Sequence, residues 1–125
     1  HNYWVATTGS DGAPHAVPVW GVWLAGVFYF ATDRGARKSR NLLHEPRVVV
    51  HLESGDETVI MNGRASEATG TPLMPKIDRA YVKKYKLRMS DAPGDLAVFA
   101  VVPRVFLAWR ERDFPKSATR MVFGK

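Results

Sequence analysis

The feature that most constrains this chain is a series of short runs of β-branched and aromatic residues, each ended by a turn signal. Such runs form strands. Tyr3–Thr8 is the first run, and Gly9-Ser10-Asp11-Gly12 ends it. His15–Leu24 is the second, with Pro18 inside it. A proline has no N–H to give a ladder, so this stretch is expected at an edge or a bulge. Leu24-Ala25-Gly26 turns the chain back into Val27–Thr32, which predicts a hairpin. Arg47–Leu52, Thr58–Thr69, Leu96–Trp109 and Thr119–Phe123 are further runs, and Pro103-Arg104 is expected to interrupt the third of these.

Two segments read as helices. Ala36–Leu43 carries Leu42 and Leu43 on one side, and Pro46 stops it because the residue before a proline is pushed out of the helical region. In the second, Thr71-Pro72 is expected to cap and open the helix. Leu73, Ile77, Tyr81 and Tyr85 then recur as an apolar stripe, with Lys83, Lys84, Lys86 and Arg88 near the favourable C-terminal end. Asp91-Ala92-Pro93-Gly94 reads as a loop. About seven strands arriving as hairpins, with two helices, predict a mainly β protein: a small antiparallel barrel with helices packed outside.

At 125 residues the chain is read as a single domain, 1–125. It can bury a real core but has little interior to spare for a deep private site. A site shared between two subunits would ease that limit. There are no cysteines, which excludes disulfides and thiolate metal sites. His1, His15, His44 and His51 show no metal-ligand spacing, and His44 reads as a helix cap. No apolar run approaches the roughly 18 residues of a membrane span. The chain opens at His1 without a starting Met, which leaves room for a missing N-terminal segment. A cytoplasmic location is the expectation. The net charge of +6 suits anionic partners without choosing among them.

The most informative stretch is Phe28–Pro46, FYFATDRGARKSRNLLHEP. A strand ends in Thr32, a glycine-containing loop follows, and Arg37-Lys38 opens a helix. A helix N-terminus offers unpaired N–H groups and a positive dipole end. Two cations and a hydroxyl at the same place could hold a phosphate dianion. The other reading is a solvated basic turn, which composition alone favours. Positive charge opposes the dipole at a helix start, which weighs towards an anion there.

The order strand, Thr, short loop, Arg-Lys, short helix, Pro resembles the phosphate-binding segment of the pyridoxamine phosphate oxidase family of FMN-binding split barrels. The likeness is best over His15 to about Arg64. It implies a six- to seven-stranded antiparallel split β-barrel with short flanking helices, and a homodimer with cofactor sites at the interface. It also implies that Thr32, Arg37 and Lys38 grip the cofactor phosphate. The family often has Ser before Arg-Lys where this chain has Ala36, and Ser39 could supply that hydroxyl. Pro18-Val19-Trp20 is similar to a Pro-Val-Trp run of the deazaflavin-dependent branch and would run under the isoalloxazine. Without the resemblance, plain strand packing is the better reading of these residues. Trp109 and Arg120, with Thr119 beside the latter, resemble C-terminal residues that reach the partner's cofactor; the bland alternative is a core Trp and a surface Arg. The family's Arg-x-His substrate motif is absent from Thr119-Arg120-Met121-Val122, which puts vitamin synthesis in doubt.

Two functions follow from the resemblance. One is an oxidoreductase using the deazaflavin F-420 or FMN for hydride transfer to a small conjugated molecule. The basic set Arg34, Arg37, Lys38 and Arg40 inclines slightly to the deazaflavin, whose tail is more anionic. The other is a non-catalytic carrier of flavin, deazaflavin or haem. Nucleic-acid binding is not expected, because Trp20, Trp23, Phe28 and Phe30 are read as buried. Membrane association is not expected either.

Overall fold

A computed structural model describes residues 2–91 and 94–123. His1 and the Ala92-Pro93 half of the predicted loop lie outside the described residues. The strands are β1 (Asn2–Thr8), β2 (Pro14–Leu24), β3 (Val27–Asp33), β4 (Arg47–Leu52), β5 (Glu57–Glu67), β6 (Leu96–Arg110) and β7 (Thr119–Val122). The helices are α1 (Arg37–His44) and α2 (Met74–Tyr85). All pairings are antiparallel, in the order β3-β2-β1-β4-β5-β6-β7, and β3 also pairs with β6. Six strands therefore close into a barrel and β7 is appended to β6. The protein is mainly β, as its strand periodicity predicts. Among the described residues no helix is long and apolar enough to cross a membrane.

The β2–β3 hairpin turns on Ala25 and Gly26, both at positive φ (51° and 80°), with Leu24 opposite Val27. Two consecutive left-handed residues match the twist of the flanking strands. Pro18 is an edge residue, as its missing N–H requires. β2 pairs with β1 along Pro14–Trp20, but with β3 only along Gly21–Leu24. Beyond Gly21 the two strands part.

Pro103-Arg104 does not interrupt the last long strand; β6 runs unbroken for 15 residues. Gly63 faces Pro103 and Asn62 faces Val105, so Arg104 is the extra residue of a bulge. Before it, β6 pairs with β3; beyond it, β6 pairs with β7. Gly63 is needed there, because a Cβ would lie 2.7 Å from the Val102 carbonyl oxygen and 2.8 Å from Val101 Cγ1.

The barrel interior is filled by side chains that alternate along the strands, among them Val5, Phe28, Phe30, Val50, Met61 and Phe99, with Leu42 of α1 packed against them. A second cluster lies under α2, where Ile77 meets Val22, Tyr29 and Val98. The helix α2 starts at Met74, later than Thr71-Pro72 suggests. The Thr71 hydroxyl donates to the Ala68 carbonyl, which makes a local turn, and Pro75 occupies the first helical turn instead. Trp20 and Trp23 are not buried, contrary to the expectation from their strand; they are 42% and 39% exposed, whereas Phe28 and Phe30 are fully buried. Trp20 lies on the outside of the barrel, stacked on Tyr85 of α2. Trp23 leans on Phe28 and Phe106 at one end of it.

Candidate functional site

The start of α1 sits where β3 leaves the barrel. Thr32 is buried at the end of β3, opposite Ala97. Asp33 shapes the turn: its Oδ1 accepts the Gly35 N–H at 2.8 Å and its carbonyl accepts the Ala36 N–H at 3.0 Å. The helix then begins with Ala36 at the cap position, without a side-chain cap and without an acid in its first turn. Its first N–H groups therefore have no intrahelical partner and no capping oxygen. Arg37 is exposed and Lys38 half-buried. Neither forms an ion pair among the described residues. Burial pulls the Lys38 ammonium below its ordinary pKa, and nearby Asp33 opposes that only in part. A bound dianion would restore the charge that burial disfavours. Ser39 is fully buried and its Oγ has no partner among the described residues.

Arg34 is not part of this basic group, contrary to the charge count along the sequence. Its guanidinium contacts Glu67 at 2.7 Å and Asp95 at 3.2 Å and donates to the Leu96 carbonyl. Those partners raise its pKa and consume its charge. What remains is Arg37, Lys38 and Arg40. Arg37, Arg40 and His44 share one face of α1 and line a cleft of about 350 Å³ against the Gly9–Asp11 turn.

Beside the helix start is the opening between β2 and β3. Pro18 is exposed there, Val19 points into the core, and Trp20 faces outward. The side of Pro14–Val19 away from β1 pairs with no strand among the described residues, so backbone groups of this stretch are available to a ligand.

Sequence reasoning missed what holds this edge. The Tyr85 hydroxyl accepts the Gly21 N–H at 2.9 Å and donates to the Gly21 carbonyl at 2.8 Å. Lys84 Nζ donates to the same carbonyl at 3.0 Å and to the Tyr3 hydroxyl at 2.7 Å. Burial acts to lower the Lys84 pKa, but the hydrogen bonds with Tyr3 and Tyr85 outweigh it and the pKa stands above the ordinary lysine value. The indole of Trp20 lies flat on the Tyr85 ring, centroids 4.6 Å apart. In sequence these residues read only as an apolar stripe and a cationic helix end. Tyr85→Phe is expected to cost about 1–2 kcal/mol in a urea melt, since Gly21 loses both its bonds to the hydroxyl and keeps only the one from Lys84. A change below a few tenths of a kcal/mol would show that water replaces the hydroxyl freely.

Trp109 and Arg120 are not brought to this site within one chain. Ala97, opposite Thr32, is the second residue of β6, and Trp109 is the penultimate one. At about 3.3 Å per residue they lie on the order of 40 Å apart along the strand. Trp109 packs edge-on against Phe114 and lines an open cleft of about 400 Å³ with Val59, Lys116 and Thr119. Arg120 is exposed on β7 opposite Leu107.

At the other end of α1, Glu45 takes Arg47 in a two-pronged pair, Nε to Oε2 at 3.1 Å and Nη2 to Oε1 at 2.8 Å. These hydrogen bonds, with one from the Arg47 N–H, hold the Glu45 carboxyl at about 2 against an ordinary 4.5. A depressed carboxylate pKa gives stability that is present above the unfolded value and lost as pH falls through the folded one. The stability advantage of the wild type over Glu45→Gln is therefore expected to shrink between pH 4.5 and pH 2. Urea melts at both ends of that window check it; a difference that grows on acidification contradicts it.

A closed antiparallel barrel that splits beside an uncapped, basic helix start defines the class: a split β-barrel with a cationic opening. The chain belongs to the pyridoxamine 5'-phosphate oxidase family, whose model matches residues 2–110. Solved structures agree on the fold. A conserved hypothetical protein from Mycobacterium tuberculosis is 22% identical with a TM-score of 0.77, covering 100% of this chain and 85% of that one. An F420 reductase is 21% identical with a TM-score of 0.67, covering 84% and 87%. HutZ, the haem storage protein of Vibrio cholerae, is 16% identical with a TM-score of 0.73, covering 82% and 81%. At these identities the likeness is one of fold. No curated protein sequence matches the chain.

Proposed function

We propose that the chain is an oxidoreductase that holds a deazaflavin (F-420) or FMN and reduces a small conjugated organic molecule. The observation that carries this reading is the unneutralised Arg37-Lys38 pair at an uncapped helix start, beside a strand edge with open backbone groups. The donor set fits a cofactor phosphate, with Thr32, Arg37 and Lys38 as its ligands. Pro18, Val19 and Trp20 would support the flat ring through backbone and side-chain contacts. When bound, the cofactor supplies the hydride chemistry, and the protein supplies placement and charge. The deazaflavin preference is narrower than the sequence suggested, because Arg34 is spent on Glu67 and Asp95; Arg40 and His44 on the same face as Arg37 still favour a longer anionic tail.

Trp109 and Arg120 fit this reading only if a second copy brings them to the site, so the functional unit is a homodimer with the cofactor between subunits. Light scattering that finds only monomer at micromolar concentration, cofactor bound, would refute that. The competing reading is a carrier of flavin, deazaflavin or haem, favoured by the fold shared with a haem storage protein. Absorbance titrations with FMN, deazaflavin and haem identify the cofactor directly. Reoxidation of the reduced complex by quinones, enones and tetrapyrroles then separates enzyme from carrier: tight binding with no turnover of any of them supports the carrier.

A further inference from the structure

A second cationic site lies outside the barrel, away from the start of α1. Arg47 on β4 and Arg64 on β5 stand directly opposite each other. Like charges in that position repel, and Glu45, which both arginines reach electrostatically, is the compensation the chain itself supplies. Arg104, projected by the β6 bulge, lines the same cleft, which has a volume of about 520 Å³. Glu45 is the one carboxylate among the cleft's lining residues. Both its oxygens are taken by the side chain of Arg47, and the Arg47 N–H adds a third bond at 3.0 Å. Arg64 and Arg104 make no ion pair among the described residues and are exposed. The cleft thus carries two guanidinium groups in excess of its own carboxylate.

The rest of the lining says what kind of anion fits. Asn62 and Thr8 contribute neutral hydrogen-bonding groups, and Val49 with Pro14 gives an apolar wall. Guanidinium pairs recognise planar or tetrahedral oxyanions through parallel N–H bonds. We propose that this cleft binds a small organic anion, its carboxylate or phosphate held by Arg64 and Arg104 and its short carbon body against Val49. The site is separate from the Arg37-Lys38 group, since Glu45 and Ala36 flank opposite ends of α1, a helix about 12 Å long.

The test is calorimetric titration of the full chain at low ionic strength with citrate and with inorganic phosphate. Alongside the wild type, it compares Arg37→Ala, in which the helix-start site is weakened, with the double variant Arg64→Gln, Arg104→Gln made in that same background. The expected result is that the double variant binds at least tenfold more weakly than its Arg37→Ala background. A preference for citrate assigns the cleft to carboxylates, and a preference for phosphate to phosphate esters. Equal affinity in the double variant overturns the proposal, as does no heat with either anion at millimolar concentration. Heat seen with the wild type but not with the Arg37→Ala background places the binding at the helix start and also overturns it. The changed residues are exposed, so the double variant is expected to fold; light scattering on it adds a further check. If the double variant loses self-association instead of anion binding, the arginines serve contacts between copies and the proposal fails.

Discussion

Cofactor affinity is expected to collapse in the double variant Arg37→Ala, Lys38→Ala while the barrel stays folded. Each cation offers a charge-assisted hydrogen bond worth roughly 1.5–3 kcal/mol, or about ten- to a hundredfold in affinity. The two act on one phosphate, so their effects are not independent, and a combined loss on the order of a thousandfold is the reasonable centre. Stability is expected to move little. Arg37 is exposed and makes no ion pair among the described residues. Lys38 is a charge that burial disfavours, so its removal relieves the native state. At neutral pH the sign is neutral to slightly stabilising, because a lysine pKa lowered on folding means the charged form is destabilised in the folded chain. The measurement is a titration with FMN and deazaflavin beside a thermal melt. Unchanged affinity in a folded double variant would leave these residues as an ordinary solvated helix start.

Phe30→Ala is expected to be the most destabilising single change, at about 3–5 kcal/mol. Phe30 is fully buried inside the barrel, its ring 5.7 Å from that of Phe99 and 6.1 Å from that of Phe28. It sits opposite Phe99 on the β3–β6 pairing that closes the barrel. Removing it leaves a cavity between rings that cannot collapse without shifting both strands. Against a total stability of roughly 5–15 kcal/mol, the loss takes up a large share. β3 also carries Thr32, so loosening it is expected to weaken cofactor binding as a secondary effect. Leu43→Ala is the control: Leu43 is 62% exposed and should cost less than about 0.5 kcal/mol. Urea unfolding of both variants decides the matter. A loss under 1 kcal/mol for Phe30→Ala would show that the barrel repacks.

The sequence by itself determined the local grammar of the protein. Strand alternation, the Ala25-Gly26 turn, the stop at Pro46 and the absence of cysteine all act within a few residues. Each therefore survives in the fold as it reads in the chain. The same holds for Arg37-Lys38 at a helix start and for Pro18 at an edge, since both follow from a missing N–H or an uncapped turn. What only the tertiary structure decided involves partners far apart in sequence. Arg34 looked like one more cation beside Arg37 until Glu67 and Asp95 came to it across the sheet. Pro103 looked like a break until Gly63 made room for a bulge. Trp20 looked buried because strand residues of its kind usually are, but it lies outside the barrel against Tyr85. Trp109 and Arg120, which the resemblance assigns to the partner's cofactor, are held away from Thr32 within one chain by the length of β6. The juxtaposition of Arg47, Arg64 and Arg104 has no local signature, because it depends on strand register and on one extra residue in β6. Charge and burial are sums over neighbours in space, and a sequence names only neighbours along the chain.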